Sequence, residues 1–216
     1  MAAICWWTEE QVRKLQKRLK VDETSILNRP TWEALSVELK MEIQPTPPAL
    51  TNFFIVKNHL LYLGERQVDW KPTPNISGNL IKPELIVIHY TGDNSLQGAL
   101  SWLTTRGSGV SAHLVVAKTG QVWQLAPFNR RAWHAGASTW KGRGDCNSWS
   151  VGIENVGLGD EWPEAQVQAN VKIVEALRAA YPIYDVVGHS DVAPGRKSDP
   201  GTHFPWDRVS PDHGRA

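Results

Sequence analysis

The hydrophobic pattern changes period at Gln44-Pro45-Thr46-Pro47-Pro48, and this break limits the possible folds more than any other feature of the chain. Proline locks φ and cannot continue a helix, so the run predicts a stiff extended linker over residues 45–52. Before it, residues 1–44 carry helical spacing. Thr8-Glu9-Glu10-Gln11 is a capping box, and Val12, Leu15 and Leu19 fall on one face. Trp32, Leu35 and Leu39 mark a second helix after Pro30-Thr31.

After the linker, residues 53–211 alternate short β runs with helices. Phe53–Val56 and Leu60–Leu63 flank Lys57-Asn58-His59, a predicted hairpin, and His113–Ala117 and Gln121–Leu125 flank Lys118-Thr119-Gly120, a second. Leu85–His89, Val151–Glu154 and Tyr184–Gly188 are short apolar runs of the kind buried strands need. Leu96, Leu100 and Leu103 mark one helix; Val167, Val171, Val174 and Leu177 mark a longer one. The combination predicts an α/β fold, a central mixed β-sheet flanked by helices, with the small helical unit ahead of it.

Bulk properties narrow the function classes. A chain of 216 residues can bury one core and carry an accessory module. A formal net charge of +1 lacks the basic excess of a nucleic-acid binder, so no nucleic-acid partner is expected. Leu85-Ile86-Val87-Ile88 is far too short to span a bilayer, so no membrane insertion is expected. Met1 to Trp7 lacks a basic n-region and runs into Glu9 and Glu10, which predicts a cytoplasmic product without a secretory signal. The two cysteines, Cys5 and Cys146, are expected as free thiols. Oligomeric state has no signature in the sequence.

Three predicted strands end alike: Ile86-Val87-Ile88 runs into His89, Val151-Gly152-Ile153 into Glu154, and Val186-Val187-Gly188 into His189. Ligand sites of open α/β sheets form beyond the carboxyl ends of strands, so these three groups can converge. The loop from His189 to Gly201 uses prolines and glycines to fix turns and offers two carboxylates, Asp191 and Asp199. A catalytic zinc takes three protein ligands and keeps a position for water. His89, His189 and either aspartate satisfy that rule, and spacing alone does not choose between them.

Four segments carry a family resemblance: Ile88-His89-Tyr90-Thr91, Ala132-Trp133-His134-Ala135-Gly136, Asn147 to Glu154, and Gly188 to Gly201. In this order, across roughly Val68 to Trp206, they resemble the zinc-dependent N-acetylmuramoyl-L-alanine amidases of type 2. In that family the third ligand is the Asp ten residues after the second His; here 199 − 189 = 10. The resemblance therefore implies Zn2+ held by His89, His189 and Asp199, with Asp191 structuring the loop. It implies Glu154 as the catalytic proton carrier and Lys197 as the donor that stabilises an oxyanion. It also implies His134 as a residue lining the substrate cleft and Asn147 as a polar substrate contact; His113, which opens a strand, either faces the same cleft or packs. Several short phage lysins have Tyr where Ala112 stands, which leaves the proton and charge chemistry here to Glu154 and Lys197. Some relatives use Cys as third ligand, but at the position of Asp199, so Cys146 is expected as a non-ligand.

Val12 to Leu19 and Thr31 to Leu35 resemble the small three-helix peptidoglycan-binding module, although Ile26 to Pro30 replaces its glycine-rich turn. With that unit the leading expectation is a lytic enzyme (an endolysin) cutting intact peptidoglycan after release through a pore-forming partner. The alternative is a cytosolic recycling amidase acting on soluble 1,6-anhydro-muropeptides. A non-catalytic peptidoglycan receptor is a third reading, opposed by the presence of every residue of the implied metal and catalytic set.

Overall fold

The computed structural model describes residues 53–213 and, ahead of them, Lys17 alone. The chain divides into two units, Met1–Leu50 and Thr51–Ala216, and the fold below is that of the second. The helical unit of residues 1–44, its resemblance to a wall-binding module and the linker of residues 45–52 lie outside the described residues.

Strands β1 (Phe54–Lys57), β2 (Leu60–Leu63) and β3 (Arg66–Gln67) make a small antiparallel sheet, followed by β4 (Asp69–Trp70) and β5 (Ile76–Leu80). Strand β6 (Leu85–Tyr90) leads to helix α1 (Leu96–Thr104) and then to β7 (Leu114–Val116) and β8 (Val122–Gln124). Short strands β9 (Arg130–Ala132), β10 (Thr139–Trp140) and β11 (Arg143–Gly144) precede β12 (Ser150–Asn155). Helix α2 (Glu164–Ala180), strand β13 (Asp185–Gly188) and helices α3 (His189–Val192) and α4 (Trp206–Val209) complete the unit. Both predicted hairpins are present, β1 with β2 and β7 with β8.

The central sheet has the order β13-β6-β12-β7-β8-β4. Its first four strands run parallel, β8 is antiparallel to β7, and β4 is parallel to β8, so the sheet is mixed. No helix among the described residues is long and apolar enough to cross a membrane.

The period-2 alternation of strands sorts the core into two faces. Ile86 and Ile88 of β6, Val151 and Ile153 of β12 and Val186 of β13 bury against Val167, Ile173, Val174 and Leu177 of α2. The intervening residues Leu85, Val87 and Val187 face the other way, into a cluster with Ala135, Cys146, Trp149 and Val192. His89, Glu154 and His189 continue this second register. They therefore emerge on the sheet face that α2 does not cover. Helix α1 lies on that face further along, with Ala99, Leu100 and Leu103 against Val115, Leu125 and Val156. Its start is set by Ser95, whose hydroxyl accepts from the Gly98 N–H at 3.0 Å, an ordinary N-cap.

Candidate metal centre and active site

His89 and His189 stand at the carboxyl ends of adjacent parallel strands, one inside β6 and the other opening α3 directly after β13. Asp199 returns to them because the loop closes on itself: the Ser190 N–H donates to the Asp199 carbonyl at 2.9 Å. His89 Nδ1, His189 Nδ1 and Asp199 Oδ2 then lie 3.0 Å from one another in all three pairings. These three residues form a buried group whose ligand atoms can hold one metal ion.

The donor set fits such an ion on the chemistry of the structure. Two imidazole nitrogens at 3.0 Å need a shared proton or a shared cation between them, and Asp199 Oδ2 faces both. Tetrahedral zinc with bonds near 2.0–2.1 Å separates its ligand atoms by about 3.3 Å, close to this triangle. His189 Nε2 donates to the Ala135 carbonyl at 3.1 Å, which leaves its Nδ1 lone pair free for a metal. Burial lowers the His89 pKa to about 4, although contact with Asp199 opposes this, so the ring is neutral at pH 7 as a ligand must be. Asp199 is pushed up by burial, but the hydrogen bonds of His189 and His89 hold its carboxyl well below the usual range.

Asp191 is placed elsewhere. Its Oδ2 accepts from the Gly188 N–H at 2.6 Å and so ties the start of the loop, not the triad.

A cleft of about 490 Å³ opens over the triad, and Glu154 and Lys197 line it with His89, His189 and Asp199. Glu154 Oε2 is buried without a hydrogen-bond partner. Desolvation, with the charge of Asp199 adding and that of Lys197 opposing, raises its pKa to about 8. A buried carboxylate oxygen with no partner is costly unless something in the working state engages it. Lys197 is exposed at the mouth, on the same loop as Asp199. Ala99, Trp102, Leu103 and Val110 form the apolar wall of the cleft, and Trp102 is 60% exposed there.

Two expectations from the sequence need correcting, and a third gains detail. His113 does not reach the cleft: it is fully buried, its Nδ1 accepts from the Gly152 N–H at 3.0 Å and its Nε2 donates to the Arg130 carbonyl at 2.8 Å. Asn147 is also buried, and its Oδ1 accepts from the backbone N–H groups of His134 and Ala135 at 3.0 and 2.8 Å, so it shapes the loop instead of meeting substrate. His134 does form part of the cleft wall, but both its ring nitrogens are engaged within the protein, by His89 and Ser150.

Sequence reading passed over Ser150, Gly152 and Arg196. Gly152 carries a visible signal, since a glycine inside a strand marks close approach. Here a Cβ would meet His134 Cγ at 2.4 Å. Arg196 donates to the carbonyls of Ala135 and Ala137 at 2.6 and 2.7 Å and so clamps the loop that carries the His189 acceptor. Cys146 is buried in an apolar cluster and belongs to no metal group among the described residues.

Residues 79–202 match the family model described as N-acetylmuramoyl-L-alanine amidase. The chain is 43% identical over 102 residues to the 1,6-anhydro-N-acetylmuramyl-L-alanine amidase AmpD of Escherichia coli K12, covering 46% of this chain and 56% of AmpD. It thus spans about half the length of the curated relatives it matches. A crystal structure of an AmpD derivative superposes with a TM-score of 0.63 at 31% identity, over 72% of this chain and 97% of that one. The Escherichia coli amidase AmiD, solved with anhydro-N-acetylmuramic acid-L-Ala-D-γ-Glu-L-Lys, gives 0.56 at 32% identity, over 73% and 65% of the two chains. The family match extends over more than half of the sequence and includes the triad, Glu154 and Lys197, and the chain belongs to the N-acetylmuramoyl-L-alanine amidase family.

Proposed function

We propose that this chain is a zinc-dependent hydrolase of the amide between the lactyl group of N-acetylmuramic acid and L-alanine, acting on soluble 1,6-anhydro-muropeptides. The observation that carries the reaction is the unpartnered Glu154 carboxylate in the same cleft as the His89–His189–Asp199 triangle. The substrate follows from the likeness to AmpD and to AmiD, the latter solved with an anhydro-muropeptide.

Amides are poor electrophiles and neutral water is a poor nucleophile. Zinc, when bound, lowers the pKa of its water to about 7 and polarises the carbonyl. Glu154 takes the water proton and returns it to the leaving L-alanine nitrogen. The raised pKa bears on the second half of that transfer, because a buried carboxyl keeps the proton it has taken until the leaving nitrogen accepts it. Lys197 directs a positive donor at the carbonyl oxygen as negative charge develops on it. The wall of Ala99, Trp102 and Leu103 offers a flat apolar surface suited to the face of a sugar ring.

The lytic reading rests on residues 1–44 and remains the alternative to be tested against the soluble substrate. Purified anhydro-muropeptide and insoluble sacculi are incubated separately with the full chain, and new L-alanine amino termini are quantified. The expected result is rapid release from the soluble substrate, slow release from sacculi, and loss of both on chelation. Faster release from sacculi establishes the lytic reading. Release unchanged by chelation removes the metal from the mechanism, and no release from either substrate by zinc-loaded protein leaves a receptor.

A further inference from the structure

The two imidazoles of the triad are oriented by different kinds of partner. His189 Nε2 meets the Ala135 carbonyl, a group that can only accept, so its tautomer is determined directly. His89 Nε2 meets no carbonyl; its partner is Nδ1 of His134 at 3.1 Å, and an imidazole can present either a donor or an acceptor. Something further along must determine which.

The hydrogen-bond chain beyond His134 supplies it. The Ser150 hydroxyl donates its single proton to the Cys146 carbonyl at 2.6 Å. Its oxygen can then only accept from His134 Nε2, 3.2 Å away. Nε2 of a neutral His134 therefore carries the proton and Nδ1 is bare. The ring is buried and its hydrogen-bond partners are His89 and Ser150, with no carboxylate among them to hold a second proton, so it is neutral. A bare Nδ1 requires His89 to donate from Nε2, which leaves the His89 Nδ1 lone pair facing His189 Nδ1 and Asp199 Oδ2. The ring cannot drift, since it lies against the bare backbone of Gly152 and the backbone N–H of His134 is held by Asn147 Oδ1.

We propose that His134 is a positioning residue: held by Ser150 and the Cys146 carbonyl, it fixes His89 as the Nε2–H tautomer and commits His89 Nδ1 to the metal. This rests on the zinc reading above, but not on the substrate or the reaction.

The test reads metal affinity and ring protonation, not turnover. In the zinc-loaded protein, a 15N–1H correlation spectrum of the imidazoles is expected to show His134 protonated at Nε2 and bare at Nδ1. Zinc affinity is then measured by chelator competition for wild type, His134→Phe and Ser150→Ala. Phenylalanine keeps the ring against Gly152 without nitrogens, and its zinc affinity is expected to fall roughly 10–100-fold. Ser150→Ala touches neither His89 nor the metal, and is expected to lose affinity in the same direction by a smaller factor. A packing role for His134 predicts wild-type affinity in both variants, and that result overturns the proposal. An Nδ1–H tautomer of His134 in the wild type overturns it independently of how the variants fold. If the wild type takes up no zinc, the metal reading falls and this one with it; if it does and His134→Phe matches it, only this one falls.

Discussion

Glu154 and His89 are register partners across the parallel pair of β12 and β6, so the proposed proton carrier and a proposed metal ligand leave the same face of the sheet one strand apart. Neighbouring strands lie about 4.8 Å from each other, which sets Glu154 beside the metal triangle without making it a fourth corner. Glu154→Gln is accordingly expected to keep its zinc and lose turnover by about 10²–10⁴-fold, the usual share of general acid–base catalysis. Metal content by atomic absorption and kcat on anhydro-muropeptide check the two halves. A variant without zinc contradicts the separation of roles.

That relationship was half visible in the sequence. Ile88-His89 and Ile153-Glu154 both present a polar group after an apolar run, and strand periodicity alone puts each opposite to its buried neighbour. Which strands lie side by side is a long-range fact, and no local pattern states that β6 sits between β13 and β12. The same reason hid the true work of His113 and Asn147. Their side chains satisfy backbone groups of Gly152, Arg130, His134 and Ala135, partners supplied by the fold and not by sequence neighbourhood. Asp199 was separable from Asp191 only through family spacing; the structure adds the physical reason, the Ser190–Asp199 hydrogen bond that folds the loop back.

Asp199→Ala removes the one anionic corner of the triangle and leaves two imidazoles 3.0 Å apart. Zinc affinity is expected to fall by more than the roughly 100-fold that losing an outer partner costs. Chelator competition measures it, and retention of stoichiometric zinc at low free-metal concentration contradicts the assignment.

Lys197 shares the Asp199 loop but takes no part in the triangle. Lys197→Ala is expected to lower kcat about 10²–10³-fold, as loss of one oxyanion donor does, with zinc content and KM little changed. Steady-state kinetics on the soluble substrate decide this. A rise in KM at constant kcat instead assigns Lys197 to ground-state binding.

Gly152→Ala tests the seat beneath His134. The new methyl group would stand 2.4 Å from His134 Cγ, so the ring must move. Overpacking of this kind costs about 1–3 kcal/mol, and here the displaced ring is also the partner of His89. Urea unfolding and zinc competition are both expected to show a loss. Unchanged values in both mean that the strand shifts to accommodate the methyl group.

His113, a buried histidine with no hydrogen bond to the triangle, sets a pH dependence of stability that can be isolated. Burial lowers the His113 pKa from 6.5 to about 4, and its hydrogen bond to Arg130 only partly offsets this. Between those values the unfolded chain binds a proton that the folded chain refuses. Stability from this group is therefore complete above pH 6.5 and is lost as pH falls towards 4, at up to about 1.4 kcal/mol per pH unit. The total is on the order of 3 kcal/mol. His113→Gln keeps a donor for the Arg130 carbonyl but cannot titrate. It is expected to be less stable than wild type at pH 7, yet to lose less stability on acidification. Urea unfolding at pH 7, 6, 5 and 4.5 gives both curves, and their difference cancels the histidines that the two proteins share. Parallel curves mean that His113 is protonated in the folded protein as readily as in the unfolded one, contrary to its burial and to the Gly152 N–H that occupies its Nδ1 lone pair.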